Sequence, residues 1–243
     1  MHGNHFKSYG LDVKEEAETE QQRVRVIERR DMLDYLVAQG EFTKNMAWRW
    51  FRYTGTVLET GYPRTDALYA PDPDEASELR ESLRLPEGKR VMLYAPTWRE
   101  MDRFDMMLNL DKLRSALSDE YVLLVRPHHF VSEFYTVPED GEFIFDANHV
   151  EKIEDLFAIT DVLITDYSSV MFDFALTGKP MVFFAYDLDE YTKEDRGSYF
   201  RIEDEAPGAL AKTTAEVIDA VKASGVQNSA DSARTEEIGR AHV

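Results

Sequence analysis

Short apolar segments without in-and-out alternation recur from residue 88 onward, and stretches with helical spacing lie between them. Strands buried on both faces have this pattern, because neither side of the strand contacts water. When such strands alternate with helices, they predict a doubly wound parallel sheet of the α/β class. The predicted strands are Val91–Ala95, Tyr121–Val125, Phe143–Phe145, Asp161–Thr165 and Pro180–Phe184, and the predicted helices are Leu110–Leu117, Ile153–Ile159, Ser168–Leu176 and Thr214–Ala223.

Composition and breaker residues divide the chain into four parts. Residues 1–70 are mixed, with an amphipathic helix predicted within Glu41–Tyr53 and a short strand at Thr56–Glu59. Residues 71–84 contain a proline-broken linker and a helix that Asp74 is predicted to cap. Residues 85–225 carry the strand–helix pattern, and residues 226–243 are predicted to be a disordered tail because they have little apolar pattern.

The overall composition excludes several classes of function. With 28 Lys+Arg against 47 Asp+Glu, the net charge is −19, so we expect no nucleic-acid partner, since such binding needs cations that neutralise phosphates. The absence of cysteine excludes disulfide scaffolds, thiol catalysis and Cys-zinc sites, and fits a cytoplasmic protein. No apolar run approaches the ~20 residues that a membrane-spanning helix needs.

Polar clusters follow three of the predicted strands, at the strand ends where doubly wound sheets bind their ligands. The clusters are Pro96–Arg99, Arg126–His129 and Asp166–Ser169. The third gives the strongest signal, because a buried strand ends at Thr165 and a helix is predicted to start near Ser168. Serine hydroxyls and first-turn amides together form an anion site suited to a diphosphate. Ser168 can instead be no more than a helix N-cap, and the residues alone leave both interpretations open.

The other clusters offer candidate ligand contacts. Arg126, His128 and His129 can bind phosphate or shuttle protons, although adjacent side chains in an extended chain point in opposite directions, so one histidine is expected to face the site. The alternative is that both histidines lie on the surface. Arg99 is a candidate bidentate phosphate donor. Asp173 can meet ribose hydroxyls, or can be a solvated or capping carboxylate.

Several sequence blocks, in the same order along the chain, resemble the CDP-glycerol glycerophosphotransferase family, which includes the teichoic-acid polymerases and primases. The stretch Asp161–Leu176, reading DVLITDYSSVMFDFAL, is close to the family's most specific block. The segment Met1–Lys7 resembles the family's His-Gly-Thr-Pro-Leu-Lys block, with Asn4 and His5 in place of Thr and Pro. The remaining similar blocks are Gly61–Asp66, Tyr94–Arg99, Arg126–His129, Lys179–Pro180, Tyr186–Tyr191 and Arg196–Phe200.

The resemblance implies a GT-B-like fold, in which two Rossmann-like domains face a cleft. Residues 85–225 would form the nucleotide-donor domain, and residues 1–70 the C-terminal part of an acceptor-side domain that is mostly absent from this chain. The implied reaction transfers glycerol phosphate from CDP-glycerol to a hydroxyl of a teichoic-acid-like polymer or lipid-linked primer, and releases CMP. No metal or other cofactor is expected. The implied location is the inner face of the cell membrane, with peripheral attachment through regions outside this chain.

The resemblance also assigns roles to single residues. His2 is the expected acceptor-side base, and His128 (or His129) the expected acid or contact at the donor phosphate. The expected substrate-binding residues are Arg99, Arg126, His129, Thr165, Asp166, Ser168, Ser169 and Asp173. Three alternatives stay open: a CDP-ribitol transferase, a nucleotide-sugar transferase of the same fold, and a nucleotide-binding module without catalysis.

Overall fold

The computed structural model describes residues 8–13, 20–97, 106–127, 135–194, 199 and 201–225. Within these ranges the chain forms a two-stranded parallel sheet followed by a six-stranded parallel sheet with helices on both faces. The predicted doubly wound parallel sheet is therefore confirmed. None of the described helices is long and apolar enough to cross a membrane.

The six-stranded sheet has the strand order β5-β4-β3-β6-β7-β8, with every neighbouring pair parallel. Renumbered from its first strand, this is the Rossmann order 3-2-1-4-5-6, in which ligands bind where the order reverses. That switch point lies between β3 and β6, at their carboxyl ends. The strands are β3 (Arg90–Tyr94), β4 (Tyr121–Val125), β5 (Ile144–Asp146), β6 (Val162–Thr165), β7 (Met181–Phe184) and β8 (Ala209–Ala211).

The smaller sheet consists of β1 (Tyr35–Ala38) and β2 (Thr56–Glu59), joined by the crossover helix α2 (Glu41–Phe51). Helix α2 ends where Arg52 adopts a left-handed conformation with φ 54°, which stops the helix two residues before the predicted end. Leu36, Ala47 and Tyr53 form a small core between the strands and this helix. The predicted strand and helix are both confirmed.

The remaining helices alternate with the strands. Helix α3 begins at Pro73, and Asp72 caps it by accepting a hydrogen bond from the Asp74 amide at 2.8 Å. The prediction that Asp74 is the cap was wrong, because proline fits the first helical position and moves the cap to the residue before it. The other helices are α1 (Glu20–Asp31), α4 (Leu110–Leu117), α5 (Ile153–Ile159), α6 (Val170–Ala175), α7 (Leu188–Glu194), α8 (Ile202–Glu205) and α9 (Thr214–Ser224), and α3 ends at Ser82.

Each face of the large sheet has its own apolar core. Val91 and Leu93 of β3 pack on the side covered by α3, α5 and α6, whereas Met92 and Tyr94 pack on the side covered by α4 and α9. All residues of β4, β6 and β7 are buried. Burial of both faces explains why these segments show no polar alternation in the sequence.

Candidate functional site

At the switch point, two hydrogen bonds connect the loop after β3 to the end of β6, and we call this connection the joint. The Thr165 hydroxyl donates a hydrogen bond to the Ala95 carbonyl at 2.7 Å, and Asp166 Oδ1 accepts one from the Thr97 amide, also at 2.7 Å. Thr165 and Asp166 are 0% and 2% exposed. Both buried side chains therefore fix the backbone next to the site. Their direct contact with a ligand stays a prediction.

The serine turn, Ser168 and Ser169, follows directly and leads into α6. Neither serine hydroxyl caps this helix well, because Ser169 makes no side-chain cap bond and Ser168 Oγ lies 3.5 Å from the Val170 amide. Within the described ranges, the amides of Ser168 and Ser169 donate no hydrogen bond to another residue. The serine turn thus provides two half-buried serines and two amides without a partner among the described residues, a donor set that suits a phosphate.

Helix α6 itself contributes little to this anion site. It comprises only the six residues Val170–Ala175, two residues shorter at its start than predicted, because Ser168 and Ser169 form the turn rather than the first helical residues. A helix of this length has a small dipole. The capacity to hold an anion therefore comes from the hydroxyls and amides of the serine turn.

Tyr167 fixes the turn from the side of α7. Its ring stacks on Tyr191 with centroids 3.6 Å apart and an interplanar angle of 9°, and its hydroxyl donates to Asp187 Oδ1 at 3.1 Å. Tyr167 is 2% exposed. Residues 161–176 and 186–191 both belong to blocks that resemble the family. The resemblance does not by itself indicate this stacked pair.

Arg126 has a different placement from the one expected of a phosphate ligand. Its guanidinium donates to the carbonyls of Ala147 and Glu151, each at 3.2 Å, and to the carbonyl of Val150. Burial lowers the pKa of Arg126, and the nearby carboxylate of Glu154 opposes this shift. Arg126 therefore holds the loop between β5 and α5, and its contact with substrate stays a prediction.

Asp173 is engaged by an arginine, and its contact with a ribose stays a prediction. It is 7% exposed, and both of its oxygens accept hydrogen bonds from Arg64 Nη2, at 2.9 and 3.0 Å. Burial raises the pKa of Asp173, and the positive charge of Arg64 opposes that rise. Arg64 itself has no role among the sequence-based expectations, although it lies in the block Gly61–Asp66, which could have indicated it.

Tyr199 is a second connection that the sequence does not predict. Its hydroxyl accepts hydrogen bonds from Trp50 Nε1 at 2.6 Å and from the Tyr9 amide at 3.2 Å, and donates one to Asp12 Oδ2 at 3.0 Å. Burial raises the pKa of Tyr199. The phenol thereby joins the block around residue 199 to residues 9–12 and to α2.

Four of the predicted site residues, His2, Arg99, His128 and His129, lie outside the described residues, so their roles stay predictions. Among the residues that the structure describes, no group of three or more histidine or acidic side chains is placed to hold a metal ion.

Comparison with known proteins adds family evidence to this geometry. The model of the CDP-glycerol:poly(glycerophosphate) glycerophosphotransferase family matches residues 1–241. The chain is 38% identical to a teichoic acid poly(glycerol phosphate) polymerase of Bacillus subtilis strain 168 over 91% of its own length, which is 31% of that relative. It is 39% identical to a teichoic acid poly(ribitol-phosphate) polymerase of Bacillus spizizenii over 68% of the chain and 28% of the relative.

A solved structure of the wall teichoic acid polymerase TagF superposes on the chain with a TM-score of 0.89 at 31% identity. The superposition covers 98% of this chain and 61% of TagF. The match supports the expected GT-B-like class of fold. The chain thus spans less than two thirds of the length of each of these proteins.

Proposed function

The chain belongs to the CDP-glycerol:poly(glycerophosphate) glycerophosphotransferase family, and we propose that it carries the donor-binding site of such an enzyme. The proposed reaction transfers glycerol phosphate from CDP-glycerol to a hydroxyl of a teichoic-acid-like polymer or lipid-linked primer. The observation that carries the proposal is the serine turn at the switch point, where the hydroxyls and amides of Ser168 and Ser169 lie next to the strand ends at which Rossmann-type sheets bind nucleotides.

The chemistry is a substitution at phosphorus. The acceptor oxygen attacks the phosphorus atom that bears glycerol, the bond from that phosphorus to the oxygen shared with CMP breaks, and CMP leaves with the electron pair. The acceptor proton passes to a base, for which we propose His2. We propose that Ser168, Ser169 and their amides stabilise the negative charge that develops on the leaving phosphate, with His128 or His129 as acid or phosphate contact and Arg99 as a further phosphate donor.

The proposed division of labour follows the two sheets. Residues 85–225 are assigned to donor binding and residues 1–70 to the acceptor side, with residues 71–84 as linker and helix. The relatives named above act on teichoic acids, so we propose a cytoplasmic reaction at the inner membrane face, with any attachment provided from outside the described residues. No metal is assigned a role in this reaction.

A second donor is favoured by one specific observation. The 39% identity to a poly(ribitol-phosphate) polymerase is as high as the identity to the glycerol-phosphate polymerase. The serine turn would contact the diphosphate, which CDP-glycerol and CDP-ribitol share. A nucleotide-sugar transferase and a binding module without catalysis are the remaining alternatives.

A donor panel tests the proposal. The chain is incubated with a lipid-linked glycerol-phosphate primer and, separately, CDP-glycerol, CDP-ribitol or UDP-glucose, and the released nucleotide is quantified by chromatography while binding is followed by calorimetry. We expect CDP-glycerol to bind and to yield CMP in preference to the other donors. Preferred use of CDP-ribitol would move the assignment to the second donor, and binding of CDP-glycerol without CMP release would favour the binding module. Binding of UDP-glucose alone would contradict both CDP-polyol assignments.

A further inference from the structure

The ion pair between Arg64 and Asp173 links the serine turn to the part of the chain that precedes the large sheet. Asp173 lies one helical turn beyond Ser169 on α6, and Arg64 lies in the short 3-10 helix Pro63–Leu68 that follows β2. Arg64 Nη2 reaches both carboxylate oxygens, at 2.9 and 3.0 Å. A single side chain therefore crosses from the carboxyl end of the small sheet to the helix that begins at the serine turn.

The surroundings fix the orientation of this guanidinium. Arg64 Nε lies 3.4 Å from Glu154 Oε1 on α5, and the guanidinium carbon lies 4.5 Å from the centre of the Tyr62 ring. The side chains of Arg64 and Asp173 are 30% and 10% exposed, so solvent screens this pair less than it screens a surface pair. The arginine is held by contacts with Asp173, Glu154 and Tyr62, so its planar guanidinium presents Nη2 to the Asp173 carboxylate from a fixed direction.

Gln39 lies beside Asp173 but does not anchor it. The Gln39 side chain is 1% exposed and lies beside Asp173, where it makes a small contribution that lowers the pKa of the carboxyl group. Neither the nitrogen nor the oxygen of its carboxamide has a hydrogen-bond partner of good geometry within the described ranges. Gln39 therefore supplies no well-formed bond that would hold Asp173 in place of Arg64.

Helix α6 is short enough for a displacement at Asp173 to reach the turn. Phe172 and Phe174, which flank Asp173, are 2% and 0% exposed and pack the helix in the core of the large sheet. Asp173 is instead drawn toward the N-terminal part of the chain by Arg64. Apolar packing holds α6 on the sheet, whereas the ion pair sets its position relative to the small sheet.

We propose that Arg64 is a positioning residue for donor binding: by holding Asp173, it sets the position of the hydroxyls and amides of Ser168 and Ser169. The inference rests on the proposed function, in which the serine turn contacts the diphosphate. It also makes donor affinity depend on a residue outside the donor domain. A misplacement of a binding group by about 1 Å can cost up to ~100-fold.

A double-mutant cycle tests this role. Arg64→Ala, Asp173→Ala and the double variant are titrated by calorimetry with CDP-glycerol and with cytidine, which has no phosphate. We expect each single variant to weaken CDP-glycerol binding by roughly 10- to 100-fold, and Arg64→Ala to leave cytidine affinity unchanged. Because Arg64 acts through Asp173, the double variant should bind CDP-glycerol about as tightly as the single variant with the lower affinity. Arg64→Lys keeps the charge without the fork, and should recover part of the affinity.

Arg114→Ala is the matched control, since it breaks the ion pair between Arg114 and Asp140. This pair lies next to β5, the strand at the edge of the large sheet. This variant should bind CDP-glycerol like the wild type. Wild-type donor affinity in folded Arg64→Ala, additive losses in the double variant, or an equal loss for cytidine would each overturn the proposal. If Arg64→Ala does not fold, Arg64→Gln, which removes the charge and keeps a long polar side chain, is titrated in its place, and wild-type donor affinity in that variant overturns the proposal. Failure of the wild type to bind CDP-glycerol would overturn the proposed function as well, which separates the two failures.

Discussion

Among single residues, Tyr199 connects distant parts of the chain through its hydroxyl. The hydroxyl accepts from Trp50 Nε1 and the Tyr9 amide and donates to Asp12, so three groups far from Tyr199 in sequence depend on one oxygen. Tyr199→Phe keeps the ring but removes this shared partner from partly buried groups. We expect a loss of about 1–3 kcal/mol in the free energy of unfolding, measured by chemical denaturation.

Tyr69→Phe is the control for that substitution, because the Tyr69 side chain is 60% exposed. Its free energy of unfolding should change by less than about 0.5 kcal/mol. Equal effects of the two substitutions would show that the three hydrogen bonds of Tyr199 contribute nothing to stability.

The sequence pattern indicates which strand ends carry polar residues. It does not indicate the direction in which each side chain points. Arg126 and Asp173 have the right chemistry for a nucleotide site, yet their partners are backbone carbonyls of the loop before α5 and the distant Arg64. Such partners are set by tertiary contacts, which residue type and spacing do not record. Ser168 and Ser169 have the predicted place because it depends only on the local change from strand to helix.

At the scale of elements, the joint between β3 and β6 determines the shape of the site. The buried Thr165 hydroxyl donates to the Ala95 carbonyl across this joint. Thr165→Val removes the bond and retains the shape of the side chain, so we expect the free energy of unfolding to fall by about 1–3 kcal/mol. We also expect weaker CDP-glycerol binding by calorimetry, because the loop after β3 and the serine turn lose a shared fixed point.

Thr160→Val provides a matched comparison. Thr160 is likewise 0% exposed and its hydroxyl donates to the Leu156 carbonyl at 2.7 Å, but this bond closes the end of α5. The two variants should lose similar stability, whereas donor affinity should fall only for Thr165→Val. Unaltered donor binding in a folded Thr165→Val protein would show that the joint between β3 and β6 does not contribute to the donor site.

The elements that the sequence predicts well are those with a clear apolar pattern. Strand β4 and helices α4 and α5 have the predicted bounds, because continuous apolar runs and regular helical spacing mark them directly. Helix α1 has no buried residue, and two of the three residues of β8 are exposed, so neither carries an apolar pattern that would reveal it.

For the whole molecule, the proposed binding of an anionic diphosphate donor has to overcome the chain's own net charge of −19. Two arginines close to the site, Arg64 and Arg126, are already engaged with protein groups. Among the described residues, the donors at the switch point are therefore mainly the neutral hydroxyls and amides of the serine turn. Arg99, His128 and His129 are the cations proposed to add to them.

Two side-chain contacts also connect the part of the chain that contains the small sheet with the part that contains the large sheet. Arg64 and Tyr199 each cross between residues 8–70 and the later part of the chain. The order of strands in the large sheet follows from the sequence pattern and the Rossmann rule, whereas these two crossings do not, because they join side chains more than 100 positions apart.

We propose that the serine turn binds the diphosphate of CDP-glycerol, and a calorimetric titration of the Ser168→Ala, Ser169→Ala double variant with CDP-glycerol tests this claim. Ser115→Ala, which removes an exposed hydroxyl on α4, is the control. Hydrogen bonds to a charged group contribute about 1.5–3 kcal/mol, so each serine lost should weaken binding by roughly 10-fold or more, while the control binds like the wild type. Wild-type affinity in the folded double variant would contradict the claim.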